Sequence, residues 1–331
     1  MSRRKRLIPI AAALIATVFF LWLAVRGVDS AALKKALRAA EFIWILPMIV
    51  VMCVDLLIRA LRWRVLLSRA RVTPAPVWTL IKLEAIGLAI NNVLFLRLGE
   101  LARAILASRR LDIPVLAAFA SVAIERALDV AALLLIFIVA AGAVDGIVPR
   151  EIVIGAVAVL LGTLGALILL TVAGSSVVGG GVTERALRRW PRIHNLVLQL
   201  SLGAVVLRSP WACVQAVFWS VLLWSVDAVL YWAGARVLSL GSLMDYPRSV
   251  LALSWAGASS AIPAAPGAVG TFEAVVASIL VKFQAGPEEA FAYALVTHMV
   301  MYVFVTSCGL FFLSREGISL AQLRQEVEKG S

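Results

Sequence analysis

The sequence predicts an all-α polytopic membrane protein, with about six spanning helices and two re-entrant broken-helix hairpins arranged as an inverted repeat. Three observations predict it. Of 331 residues, 62% are hydrophobic and 15% charged, with a mean hydropathy of +0.98, which is far from the usage of soluble domains. Apolar runs long enough to cross a bilayer recur from end to end. Two further apolar regions, 78–108 and 247–283, carry helix breakers and charges midway. No stretch is polar and long enough for a separate soluble domain, so 1–331 reads as a single integral membrane domain.

The expected spans are 7–25, 42–60, 114–140, 152–173, 211–235 and 289–313. The first follows Arg3, Arg4, Lys5 and Arg6 and resembles a signal peptide. Its apolar run exceeds a usual h-region and further spans follow, so it reads as an uncleaved helix with a cytoplasmic N-terminus. Arginines set the sides of the others. The span at 42–60 returns the chain to Arg62, Arg64, Arg69 and Arg71, read as cytoplasmic, as are Arg109 and Arg110. Region 78–108 therefore starts and ends inside, as two short arms meeting within the bilayer. Spans 114–140 and 152–173 go out and back around a charge-poor loop at Asp145. A cytoplasmic linker, 174–210, carries Arg185, Arg188, Arg189, Arg192 and Arg208, with an interfacial amphipathic helix expected in it. Span 211–235 exits, and 289–313 runs inward to a cytoplasmic tail, 314–331. Region 247–283 then dips from the outside. Lys34, Lys35 and Arg38 run against this scheme, which places them outside in a short amphipathic segment.

The order of elements in 42–140 recurs upside down in 211–313. Val54-Asp55 matches Val226-Asp227, and Arg64-Val65-Leu66 matches Arg236-Val237-Leu238, at an offset of 172. Glu100 matches Glu273 at 173, an offset that also sets Glu125 on His298. Inverted repeats with discontinuous helices place free backbone groups near the midplane. Irregular backbone at that depth requires enclosure by protein or a wet cavity.

The polar residues gather at the breaks. Asn91, Asn92, Arg97, Gly99, Glu100 and Arg103 lie in the first. Arg97, Glu100 and Arg103 share roughly one helix face. One reading is an anion site made by the amides of a new helix with Arg97 and Arg103. The other is a juxtamembrane helix with snorkelling arginines. Glu125, Arg126 and Asp129 fall inside a span, as a cavity wall or as an ion pair between helices. The second break holds Pro263, Pro266, Gly267, Gly270 and then Glu273. Pro266 is expected in the first turn of the second arm, with Glu273 about two turns in, opposite Glu100. His298 is expected in the last span. Asp55 with Arg59 or Arg62, and Asp227, read as structural pairs at helix ends.

The sequence "NNVLFLRLGELARAIL", then Glu125-Arg126 and Asp129, then "IPAAPGAVGTFEA" resemble the lysylphosphatidylglycerol synthase/flippase transmembrane family over roughly 40–313. Phe95 replaces a proline and Ala268 a glycine of the pattern. The family includes the flippase half of the multiple peptide resistance factor, which moves aminoacylated phosphatidylglycerol between leaflets. Stand-alone members lie near glycolipid or hopanoid genes. Full synthases add a large soluble aminoacyl-transfer domain that these residues do not contain. The resemblance therefore implies a lipid flippase of a bacterial inner membrane, with both termini cytoplasmic, acting on a charged-headed lipid. It implies roles for the residues named above in holding a head group. A membrane-embedded lipid-modifying enzyme, with Glu125 or Glu273 as general base, and an accessory subunit of a lipid synthase are the alternatives.

Other classes fit poorly. The formal net charge of +12 comes from arginines flanking apolar spans, which suits topology and anionic lipid better than nucleic acid. Cys53, Cys213 and Cys308 lie in apolar runs at unrelated spacings. The two histidines, His194 and His298, are far apart, so no metal site is expected. No P-loop, dinucleotide fingerprint or nucleophile elbow is present, and no cofactor is expected. An oligomer remains open.

Overall fold

The computed structural model describes residues 18–20, 22, 23, 26, 28–68, 73–94, 98–178, 205–259 and 266–316. Every regular element among them is helical. The helices are α1 (Ser30–Arg38), α2 (Ile45–Leu66), α3 (Val77–Val93), α4 (Gly99–Leu111) and α5 (Val115–Ala143). Then come α6 (Arg150–Val178), α7 (Pro210–Val237), α8 (Tyr246–Ser259), α9 (Thr271–Lys282) and α10 (Pro287–Arg315). Stretches over Phe42–Leu66, Arg150–Val172, Pro210–Val237 and Pro287–Arg315 are long and apolar enough to cross a membrane. The 29-residue α5 matches α10 in length but carries Glu125, Arg126 and Asp129. The protein is an all-α polytopic membrane protein.

Prolines set many of the helix starts. Pro76 and Pro114 immediately precede α3 and α5, while Pro210 and Pro287 open α7 and α10. A first turn has no use for the missing N–H and suits the fixed φ. Ser209 adds a side-chain cap on Ala212 N at 3.5 Å. The two breaker regions each form two helices, α3 with α4 and α8 with α9. Most of the first expected span, residues 179–204 of the linker with Arg185, Arg188, Arg189 and Arg192, and the tail from 317 lie outside the described residues.

One expectation fails inside α2. The helix continues past 60 to Leu66, and Arg62 is 0% exposed. Arg62 is therefore a core residue rather than a cytoplasmic marker. Its charge is satisfied by carboxylates from another helix.

The packing centres on α2 and α7, which run antiparallel. Glu41 N donates to Val237 O at 2.7 Å at one end, and Arg62 Nη1 donates to Ser220 Oγ at 3.2 Å near the other. Between them Arg59 Nε donates to Asp55 Oδ2 at 2.7 Å and its Nη2 lies 3.6 Å from Asp227. The expected structural pairing of Asp55, Arg59 and Asp227 is thus an interhelical clamp. Around this axis α3 packs on α10 and α8 on α5. The arms of each hairpin pack on each other, and the second arm of each packs on the long helix that follows. Shifting α4 and α5 by 172 gives 271–283 and 287–315, where α9 and α10 occupy 271–282 and 287–315. The outlying α6 buries 6% of its apolar window and leans on α5.

Candidate functional site

The first break is closed by charge. Arg103, on α4, reaches Glu84 on α3 in a short ion pair and Glu125 on α5 at 3.1 Å. Arg62 lies 3.1 Å from the same Glu125 and donates to Asp129 at 2.5 Å. Arg126 closes the ring, 3.1 Å from Glu125 and 3.4 Å from Asp129. Trp224 Nε1 also donates to Asp129, at 3.1 Å. The Arg103 guanidinium sits 4.4 Å over the Trp63 ring, whose Nε1 donates to Ser121 Oγ at 2.9 Å. Three guanidiniums thus face three carboxylates. Buried ions persist only when paired and hydrogen-bonded in this way. All are buried except Arg126, whose side chain is 43% exposed.

The anion-site reading needs Arg103 free for an anion. The structure instead commits it to two carboxylates, with 3% of it exposed. The amide of Gly99, the first of α4, is likewise taken, by Asn91 Oδ1 at 2.7 Å. A side chain at Gly99 would meet that oxygen at 2.5 Å, so the close approach of the arms requires glycine. Glu100 is half-buried in the first turn of α4, where a carboxylate suits the helix dipole. Arg97 lies outside the described residues.

The second break is closed by hydrogen bonds. Gly267 and Gly270 adopt φ of 70° and 86°, the left-handed region that glycine tolerates. Gly270 N donates to Glu273 Oε2 at 2.6 Å, a capping box at the start of α9. His298 on α10 lies between the other carboxylate oxygen, 2.6 Å from Nδ1, and Gly267 O, 2.9 Å from Nε2. Phe272 stacks on the imidazole at 4.3 Å. Two expectations change. Pro266 begins a short 3-10 turn, Pro266–Ala268, and does not start the second arm, because α9 waits for its cap at Gly270. Glu273 is accordingly in the first turn of α9 and faces His298, not Glu100. Pro263 lies outside the described residues.

The two breaks touch. Asn92, at the end of α3, donates through Nδ2 to Thr306 Oγ1 at 3.0 Å, and its carbonyl accepts from Tyr302 at 3.4 Å. Tyr302 stands edge-on to His298, 6.2 Å between ring centres, and α3 packs against the Pro266–Ala268 turn. The structure therefore joins Asn91, Asn92, Gly99, Arg103, Glu125, Arg126 and Asp129 on one side with Pro266, Gly267, Gly270, Glu273 and His298 on the other. Sequence reasoning placed Glu84 near the first break without a role and did not assign Arg62, Trp63 or Tyr302 to this site. A signal existed for the cations, since Glu84, Glu125 and Asp129 outnumber the arginines on their own helices.

Among the described residues, the polar side chains at the centre are engaged with one another. A groove of about 640 Å³ lies between α5 and α6, lined by apolar and small residues such as Ala123, Ala127, Gly162 and Ala166. It contains none of the expected site residues.

Fold and site together define a polytopic helical membrane protein with two discontinuous helix pairs meeting at a buried polar centre. The chain belongs to the family described as lysylphosphatidylglycerol synthase TM region, whose model matches residues 10–309. It is thus a membrane protein of lipid metabolism or transport. Neither a curated protein nor a solved structure matches the chain.

Proposed function

We propose that this protein is a lipid flippase. It moves a polar-headed lipid between leaflets, the head passing between the two helix breaks while the acyl chains stay in the bilayer. The observation that carries this reading is the contact of the breaks through Asn92, Tyr302, His298 and Gly267. Two interruptions of helical backbone packed together at membrane depth suit a site that must open and reclose around a polar group.

The reading includes an inverted repeat with re-entrant arms, halves at about 42–140 and 211–313. The shared shift of helix bounds supports it. So does the direction of α2 and α7, its equivalent. A two-fold axis in the membrane plane makes such partners antiparallel, whereas an axis along the normal would make them parallel. In this reading the closed centre is an occluded state. The half-exposed Arg126, with Asn91, Asn92 and Glu100, would meet the head group when the breaks part. The setting is a bacterial inner membrane with cytoplasmic termini, and a lipid-synthesis enzyme is a candidate partner.

The test is leaflet exchange in proteoliposomes with fluorescent phospholipid, glycolipid and polyprenyl-phosphate probes. The protein should speed exchange of at least one class over empty vesicles. Exchange no faster than empty vesicles for all three overturns the proposal. Lipid mass spectrometry after gene deletion separates transport from synthesis: normal products stranded in one leaflet support transport, and a missing product supports chemistry.

A further inference from the structure

We infer that the His298–Glu273 pair is a binding site for one proton, and that this proton holds the second helix break closed. The proton site stands on its own geometry; its use in transport rests on the flippase reading above.

The argument is one of donors and acceptors. Gly267 O can only accept, so His298 Nε2, 2.9 Å away, carries hydrogen. A neutral ring protonated there has a bare lone pair on Nδ1. That nitrogen lies 2.6 Å from Glu273 Oε1. Two lone pairs at this separation repel, so a proton must lie between them. The pair is either imidazolium with carboxylate or neutral imidazole with carboxylic acid. Both hold one proton more than a neutral ring beside a carboxylate.

The environment makes the proton structurally important. Glu273 Oε2 is occupied by Gly270 N, and Phe272 covers the ring face. The nearby titratable groups are Glu273 on α9, Tyr302 on α10 itself and Tyr231 on α7, beyond Phe272. Of the charged side chains on the other packed helices, Lys34, Lys35 and Arg38 belong to α1, which meets α10 at its start, where Asp29 N donates to Glu288 Oε1 at 3.4 Å. Lys82 and Glu84 of α3 pair with Glu316 and Arg103, and Arg59 holds Asp55 and Asp227 at the α2–α7 crossing. Lys282 lies in the last turn of α9, away from the cap. Among the described residues, His298 and Glu273 pair with each other and with backbone groups, and with no arginine or lysine.

Loss of that proton sets the two lone pairs face to face. Relief requires the ring to turn, which releases Gly267, or the carboxylate to leave, which frees the Gly270 amide. Either movement unties the apex from α10. Proton release would therefore open the second break, and proton uptake would close it. This couples the break to a transmembrane proton gradient, with no nucleotide required.

The chain has two histidines, so nitrogen-15-labelled histidine in the full-length protein gives signals assignable with His194→Gln. The expected spectrum has both His298 ring nitrogens bonded to or sharing hydrogen at neutral pH, and Glu273→Gln should shift the Nδ1 signal. A His298 Nδ1 signal alike in wild type and Glu273→Gln overturns the proton site. Leaflet exchange, with whichever fluorescent probe the wild type moves, should respond to an imposed proton gradient, and His298→Gln should lose that response. A protonated pair with gradient-indifferent exchange overturns the coupling. Absence of exchange for every probe overturns the flippase reading, while the nitrogen spectra still decide the proton site.

Discussion

At residues 125 and 298, on the long helices that follow the two breaks, the molecule places different chemistry. Glu125 is surrounded by Arg62, Arg103 and Arg126. His298 meets one carboxylate and one carbonyl. Arginine does not give up its charge in a protein, so the first break is held by permanent ions. The second is held by hydrogen bonds around an imidazole, a side chain that can bind or release a proton. On the proposed flippase reading, this difference would make the α3–α4 side the fixed wall and the α8–α9 side the element that moves.

The largest way to break this comparison is Arg103→Ala. It leaves Glu84 and Glu125 short of a buried cation, and a loss of ~3–5 kcal/mol is expected. Thermal unfolding in detergent should show a large drop or no folded protein; a loss no greater than that of Glu273→Gln would deny the first break its fixed-charge character. Next is Gly267→Ala, which combines a φ of 70° with a contact against the Tyr302 ring. Strain and overpacking should cost ~1–3 kcal/mol, read from the same melting curves, together with slower exchange. Glu273→Gln should cost about 1 kcal/mol, since an amide keeps some of the hydrogen bonding. It should impair leaflet exchange without unfolding the protein, and full activity would return Glu273 to a purely structural role.

The smallest effect is expected at the end of α10. There Glu316 accepts from Lys82 Nζ at 3.0 Å and pairs closely with Arg110, tying α10 to both arms of the first hairpin. Burial opposes ionisation of Glu316, but Lys82 and Arg110 overcome it and hold the carboxyl below the ordinary glutamate range. A depressed carboxyl stabilises above its unfolded value of about 4.3 and loses that contribution as pH falls through the folded value. Lys82→Ala should cost ~0.2–1 kcal/mol at neutral pH. Melting of wild type and variant should converge on acidification.

Much of the architecture was readable from the residues, because glycine and proline state their backbone demands locally. Both helix interruptions and the long helices followed from that. The acidic half of the ionic centre was also visible, since Glu125 and Asp129 interrupt an apolar span. That cations must meet them was legible, but which ones was not. Arg62 contacts Asp129 across 67 residues of chain and sits where an arginine also serves as a topology marker. That choice is made by tertiary packing. The start of α9 was missed although Glu273, three residues after Gly270, can cap the Gly270 amide, because Pro266 offered a competing start.

The ionic centre has a consequence for how the chain enters its membrane. A charged residue at the middle of an inserting helix costs ~2.5–3.5 kcal/mol each, so α5, with Glu125, Arg126 and Asp129, is a poor solitary passenger. Its partners Arg62, Glu84 and Arg103 all precede it in the chain. They have been synthesised by the time α5 emerges from the ribosome, whereas Ser220 and Trp224 arrive later with single hydrogen bonds to the same cluster. The order of residues along the chain thus matches an order of insertion, with α2 and the first hairpin acting as the receiving surface for α5.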